Sequence, residues 1–112
     1  MYSFKKIIKI LIKKNITISV AESCTGGLLS STITSEEGIS KIYPMGLITY
    51  SNKSKPDLLN IDPNYIKKYK AVSYEIADLM VKNLYKLSKS QLCISTTGIA
   101  GPSGGTKTKP VG

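Results

Sequence analysis

Three short segments hold the residue types that could do chemistry. Glu22-Ser23-Cys24-Thr25-Gly26-Gly27 sets a hydroxyl and a thiol just ahead of backbone N–H groups that open a helix. Such a turn can present a nucleophile and hold an oxyanion or a phosphate. Tyr50-Ser51-Asn52-Lys53-Ser54-Lys55 adds a phenol and amines. Gly98 to Thr106 carries few side chains and many exposed amides, which suits close approach by a phosphate or a planar ligand. Each segment also has a plainer reading: helix capping by Ser23 or Thr25, a solvated lysine at a helix start, and an irregular turn.

Composition narrows the chemistry. Histidine and tryptophan are absent and all 16 basic residues are lysines. The Ser-His-Asp triad, Cys-His pairs and His-ligated zinc are therefore excluded, and two cysteines, Cys24 and Cys93, cannot build a four-thiolate metal site. Proton transfer falls to Lys, Tyr, Asp or Glu. A lysine activates a serine only when neutral, and lowering its pKa from about 10.4 to 7 takes roughly 4.6 kcal/mol of differential interaction. Burial and neighbouring charge can supply that. Cys24 competes with Ser23 as nucleophile, because a thiolate at a helix N-terminus is intrinsically reactive.

The formal net charge of +9 invites a nucleic-acid reading. The lysines are scattered, however, and without arginine the best bidentate contact to bases and phosphates is missing, so nucleic acid is not the expected partner. The N-terminal stretch MYSFKKIIKILIKK resembles a signal peptide only superficially, since Lys9 breaks its apolar patch and no cleavage site follows. No run approaches the roughly 20 apolar residues that span a bilayer. A cytoplasmic protein with two reduced thiols and no membrane partner is expected.

The elements that must position these residues follow from periodicity. Phe4, Ile7, Ile8, Leu11 and Ile12 lie at helical spacing after Ser3, and Asn15 suits a C-cap. Ile16 to Ala21 is β-branched and alternating, and a helix from Leu28 to Ser35 is expected after the Gly26-Gly27 turn. Tyr43 to Tyr50 predicts a second strand, and Asp62-Pro63 starts a helix through Tyr69. Ser73 caps a longer helix with an apolar stripe of Ile76, Leu79, Met80, Leu84 and Leu87, and Gln91 to Thr97 predicts a third strand. Pro56 biases Lys55 toward an extended backbone at a helix boundary. Strands alternating with helices predict one α/β domain, residues 1–112, with a largely parallel sheet flanked by helices. Ligands of such sheets bind beyond the carboxyl ends of the strands, where all three segments fall. Lys109-Pro110-Val111-Gly112 reads as the start of a further strand.

Ala21 to Gly27, Thr49-Tyr50-Ser51-Asn52 with Lys55, Ala71-Val72-Ser73, Thr97 to Pro102 and Lys109 to Gly112 together resemble the CinA C-terminal domain family, the nicotinamide-mononucleotide amidases. The likeness covers nearly the whole chain in order. It implies a three-layer α/β fold and hydrolysis of nicotinamide mononucleotide to nicotinate mononucleotide and ammonia. By position it makes Ser23 the nucleophile, assisted by Tyr50 and Lys55. Amides near Thr25, Gly26 and Gly27 would hold the oxyanion, and Asn52, Thr97, Gly98, Gly101, Gly104 and Gly105 would contact the substrate. It implies no metal, no cofactor, and self-association into a homo-oligomer. The family continues beyond Pro-Val-Gly with further strands and a closing helix, so an amidase domain incomplete at its C-terminal end is expected. Ser103 stands where an acid is usual and Lys70 where a glycine is common. Two other functions fit the same residues: a catalytically silent nucleotide-binding or assembly module, and a basic nucleic-acid binder.

Overall fold

The computed structural model describes residues 3–112; Met1 and Tyr2, which open the basic N-terminal stretch, lie outside them. The order is α1 (Phe4–Lys14), β1 (Ile18–Glu22), α2 (Leu28–Thr34), a 3-10 turn at Ile39–Lys41, β2 (Met45–Ile48), α3 (Ser54–Leu59), α4 (Pro63–Tyr69), α5 (Tyr74–Ser88) and β3 (Leu92–Thr96). The three strands form a parallel sheet in the order β2-β1-β3. Helices cover both faces, which is the expected α/β arrangement.

Strand parity explains the layers. Successive side chains of a strand point to opposite faces. On β1, Ile18 and Val20 enter a core with Ile8 and Leu11 of α1 and Ile33 of α2. Ala21 enters the opposite core with Leu59, Ile66, Ile76, Met80 and Leu84, contributed from α3, α4 and α5. Met45 and Leu47 of β2 and Cys93 of β3 pack into that second core too. Ser23 and Thr49 continue the same parity beyond β1 and β2, so both belong to the α3–α5 face. Glu22 has the opposite parity and belongs to the α1–α2 face.

Local signals account for most boundaries. Ser3 Oγ accepts from Lys6 N, and Asn15 closes α1 in the left-handed conformation. Asp62 and Ser73 cap α4 and α5 with their side chains. Lys55 corrects the expectation of an extended residue: it is helical, in the first turn of α3. Pro56 is accommodated there because a first-turn N–H has no intrahelical acceptor to lose. Leu87 is half-exposed, outside the buried stripe of α5, and Phe4 and Ile7 are exposed on α1. The anticipated strand at the C-terminus is reduced to one parallel bridge between Ile99 and Val111.

Gly46 shows how closely β2 approaches its neighbours. A Cβ there would collide with the Tyr43 hydroxyl and Ser30 Oγ, which hydrogen-bond to each other across the strand. Gly46→Ala is expected to cost about 1–3 kcal/mol, because both oxygens are held in place. A fall in Tm on thermal unfolding would show it, and an unchanged Tm would refute the crowding.

Candidate active site

Ser23 follows β1 directly, and its N–H donates to the Thr96 carbonyl at 3.0 Å, which extends the sheet by one residue. The chain then turns through Thr25, Gly26 and Gly27 into α2. Gly26 and Gly27 take positive φ values of 59° and 107°, the region glycine enters without steric cost. Ser23 is thereby held at the carboxyl edge of the sheet, 6% exposed, facing α3.

Lys55 approaches from α3 and is completely buried. Its Nζ lies 3.1 Å from Ser23 Oγ. It also reaches the carbonyls of Thr49 at 2.7 Å, Tyr50 at 3.3 Å and Ser51 at 3.5 Å. Among the described residues no carboxylate pairs with it. Burial pushes its pKa below the usual lysine value, partly opposed by the electrostatic effect of nearby Cys24. Nζ donates to Ser23 Oγ, whose own hydroxyl donates to the Tyr50 carbonyl at 3.4 Å; in a neutral amine, rotation about the Cε–Nζ bond turns the lone pair toward that hydroxyl.

Tyr50 therefore meets this pair through its backbone. Its side chain is 70% exposed and makes no hydrogen bond among the described residues. Cys24 is a half-buried free thiol on the side of Gly98, where an added Cβ would sit 3.4 Å from its sulfur. The amine thus contacts the serine and makes no hydrogen bond to the cysteine.

The glycine turn divides its amides. Gly26 N–H donates to the Ser23 carbonyl, whereas those of Cys24, Thr25 and Gly27 have no acceptor among the described residues. The Thr25 hydroxyl is structural: it donates to Glu22 Oε1 at 2.7 Å and pairs with Thr96 Oγ1 at 2.8 Å. Glu22 closes the start of α2, accepting from Leu29 N at 2.8 Å and Ser30 N at 2.9 Å. Burial alone would raise its pKa, but the Ser30, Thr25 and Leu29 bonds outweigh that and hold it below the usual carboxylate range. The first turn of α2 is therefore satisfied from within the protein.

The glycine-rich segment lies farther along the same edge. Thr97 and Gly98 line a cleft of about 630 Å³ together with Val72 to Tyr74 and Lys109. That volume is in the range of small-molecule sites. Thr97 Oγ1 itself donates to the Ala71 carbonyl at 2.8 Å. Gly101 and Gly105 owe their residue type to Val111, against which a Cβ at either position would clash. Gly104 has a positive φ of 89° in an exposed turn. Asn52 is exposed and lines a separate groove with Asn64, Lys67 and Lys70.

Two site residues escaped sequence reasoning in their actual roles. Glu22 acts as a helix cap supplied by the preceding strand; a buried acid ahead of a helix with neither a capping side chain nor an acidic first turn was the available signal. Thr49 is fully buried beside Lys55, and only strand parity would have placed it there.

These features define a three-layer α/β domain with a lysine-partnered serine at the strand ends. The chain belongs to the CinA C-terminal domain family, whose model matches residues 3–112. It is 47% identical over 106 residues to a competence-damage inducible protein of Thermoanaerobacter sp. strain X514, and 50% identical to one of Clostridium botulinum strain Langeland. Each match covers 95% of this chain and 26% of the relative, so the chain spans about a quarter of these curated relatives. Among solved structures, CihA of Agrobacterium tumefaciens superposes with a TM-score of 0.89 at 33% identity, covering 99% of this chain and 72% of that one. A CinA superfamily protein of Escherichia coli gives 0.86 at 30% identity, over 96% and 62% of the two chains. Among the described residues no helix is long and apolar enough to cross a membrane.

Proposed function

We propose that this chain is a Ser–Lys amidohydrolase acting on the carboxamide of nicotinamide mononucleotide. The observation that carries the reading is the buried Lys55 amine 3.1 Å from Ser23 Oγ, with no carboxylate paired to it among the described residues. The substrate is the one implied by the family resemblance, and the cleft beside Gly98 has the volume for a mononucleotide.

Neutral Lys55 takes the Ser23 proton as Oγ bonds to the amide carbon, and the carbonyl π electrons move to oxygen. The free amides of Cys24, Thr25 and Gly27 are the donors at hand for that oxyanion. Collapse breaks the carbon–nitrogen bond, and Lys55 gives its proton to the departing nitrogen, which leaves as ammonia. Water then attacks the acyl ester with Lys55 as base, and Ser23 recovers its proton as nicotinate mononucleotide departs. Tyr50 assists in this scheme through its carbonyl, which holds the Lys55 amine. Self-association is part of the same reading, and light scattering would report the mass.

Incubation with nicotinamide mononucleotide is expected to release ammonia and nicotinate mononucleotide in equal amounts. Saturable binding without ammonia would instead favour a silent nucleotide-binding module. A salt-sensitive DNA shift without turnover would favour the nucleic-acid reading.

A further inference from the structure

We propose that Thr49 is a third working residue of the Ser23–Lys55 group, its hydroxyl held without a partner at rest so that it can bond Ser23 Oγ as that oxygen loses its proton. The inference rests on the reading of Ser23 as nucleophile.

Thr49 Oγ1 is buried and has no hydrogen-bond partner, and the whole residue is 0% exposed. Leaving a hydroxyl in that condition disfavours the folded state, and a valine of the same shape would avoid it. The residue sits where such a hydroxyl could be used. The β1–β2 register pairs Ala21 with Leu47 and Glu22 with Ile48, so its continuation sets Ser23 opposite Thr49. The Thr49 N–H, bonded to the Glu22 carbonyl at 2.7 Å, continues the ladder to that point. Adjacent strands are about 4.8 Å apart, and both side chains occupy the α3–α5 face. Lys55 Nζ bridges them, touching Ser23 Oγ and the Thr49 carbonyl.

In the resting pair Ser23 Oγ accepts from Lys55 and donates to the Tyr50 carbonyl. When its proton passes to Lys55, Oγ becomes a charged acceptor with a further lone pair, and a bond to it strengthens accordingly. A step between staggered χ1 wells swings the Thr49 hydroxyl toward it. A donor without a partner in the ground state and with one in the transition state contributes its whole bond to the rate.

The test compares Thr49→Val and Thr49→Ser with the unaltered chain, using a small alkyl fluorophosphonate. That probe forms an Oγ–phosphorus bond at Ser23, expels fluoride and passes the serine proton to Lys55, so it reads the nucleophile without the natural substrate. Thr49→Val is expected to raise Tm yet slow labelling about ten- to a hundredfold, the factor carried by one hydrogen bond to a charged atom. The pH of half-maximal labelling should stay in place, because the Lys55 contacts to backbone carbonyls remain. Thr49→Ser is expected to label within threefold of the unaltered chain although its lost methyl lowers Tm. Wild-type labelling by Thr49→Val would overturn the inference and leave the nucleophile reading standing. Labelling without turnover of nicotinamide mononucleotide would overturn the substrate alone, and the Thr49 comparison would still decide. Failure of Ser23 to label at all would overturn both.

Discussion

Ser23→Ala and Lys55→Met are each expected to lower kcat/KM for nicotinamide mononucleotide by about 10⁴ or more, and the double variant should fall no further. Residues that act as one unit lose the same function whichever is removed, so their effects do not add. Lys55→Arg should be as inactive as Lys55→Met, because a guanidinium does not give up its proton and cannot serve as base. Cys24→Ala should keep most activity, since the amine bonds the serine and not the thiol. Additive losses, or an inactive Cys24→Ala with an active Ser23→Ala, would refute the assignment.

The same lysine sets two pH dependences. Activity needs the neutral amine, so kcat/KM should rise with pH to a plateau, with a midpoint below the ordinary lysine value because burial lowers this pKa. Stability follows the same sign. Between the lowered folded pKa and the ordinary unfolded one, the unfolded chain binds the proton that the folded chain has released, so unfolding becomes less favourable as pH rises through that window. Lys55→Met removes the buried amine, and its stability curve should be flatter there. An unchanged slope in urea titrations across that range would show that Lys55 is not the group responsible.

The legible parts of this molecule are those encoded locally. Asp62-Pro63, Ser73 and Asn15 mark helix ends through their own side chains or φ values, and the structure has those ends where they fall. The alternation of Ile16 to Ala21 marks β1, displaced by one or two residues at each end. What was not legible depends on contacts across the fold. Helix α3 begins without a capping side chain at Lys53, and its early proline reads as a break, so the sequence predicts an extended Lys55. The sequence singles out Tyr50 by its phenol, while its carbonyl is the group beside Lys55. A sequence does not distinguish which end of a residue faces a site. The requirement for glycine at Gly101 and Gly105 comes from Val111, several residues along the chain, which leaves no room for a Cβ at either position.

Glu22 gives the largest expected effect on folding. Its carboxylate is fully buried, accepts two N–H groups of α2 and the Thr25 hydroxyl, and so joins β1, the glycine turn and, through Thr25, Thr96 in the last ladder pair of β3. Helix α2 has no other cap: Gly27 offers no side chain, and the first turn holds no acid. Glu22→Ala leaves those donors buried without acceptors, which should cost about 3 kcal/mol or more. For a chain of this size that is on the order of 10–20 °C in Tm. Glu22→Gln should lose most of the same energy, because one end of an amide presents N–H groups to N–H groups. The proton linkage provides an independent check. A carboxyl whose folded pKa is lowered contributes stability above the usual carboxylate range and loses it as pH falls through the folded value. Acid unfolding of the unaltered chain should therefore steepen below that range, and both variants should lack this component. Because the Ser23 backbone is anchored between Glu22 and the turn that Glu22 holds, activity measured well below each variant's Tm should drop more than the folded fraction does. Retention of full activity per folded molecule in Glu22→Gln would show that the turn keeps its geometry without the carboxylate.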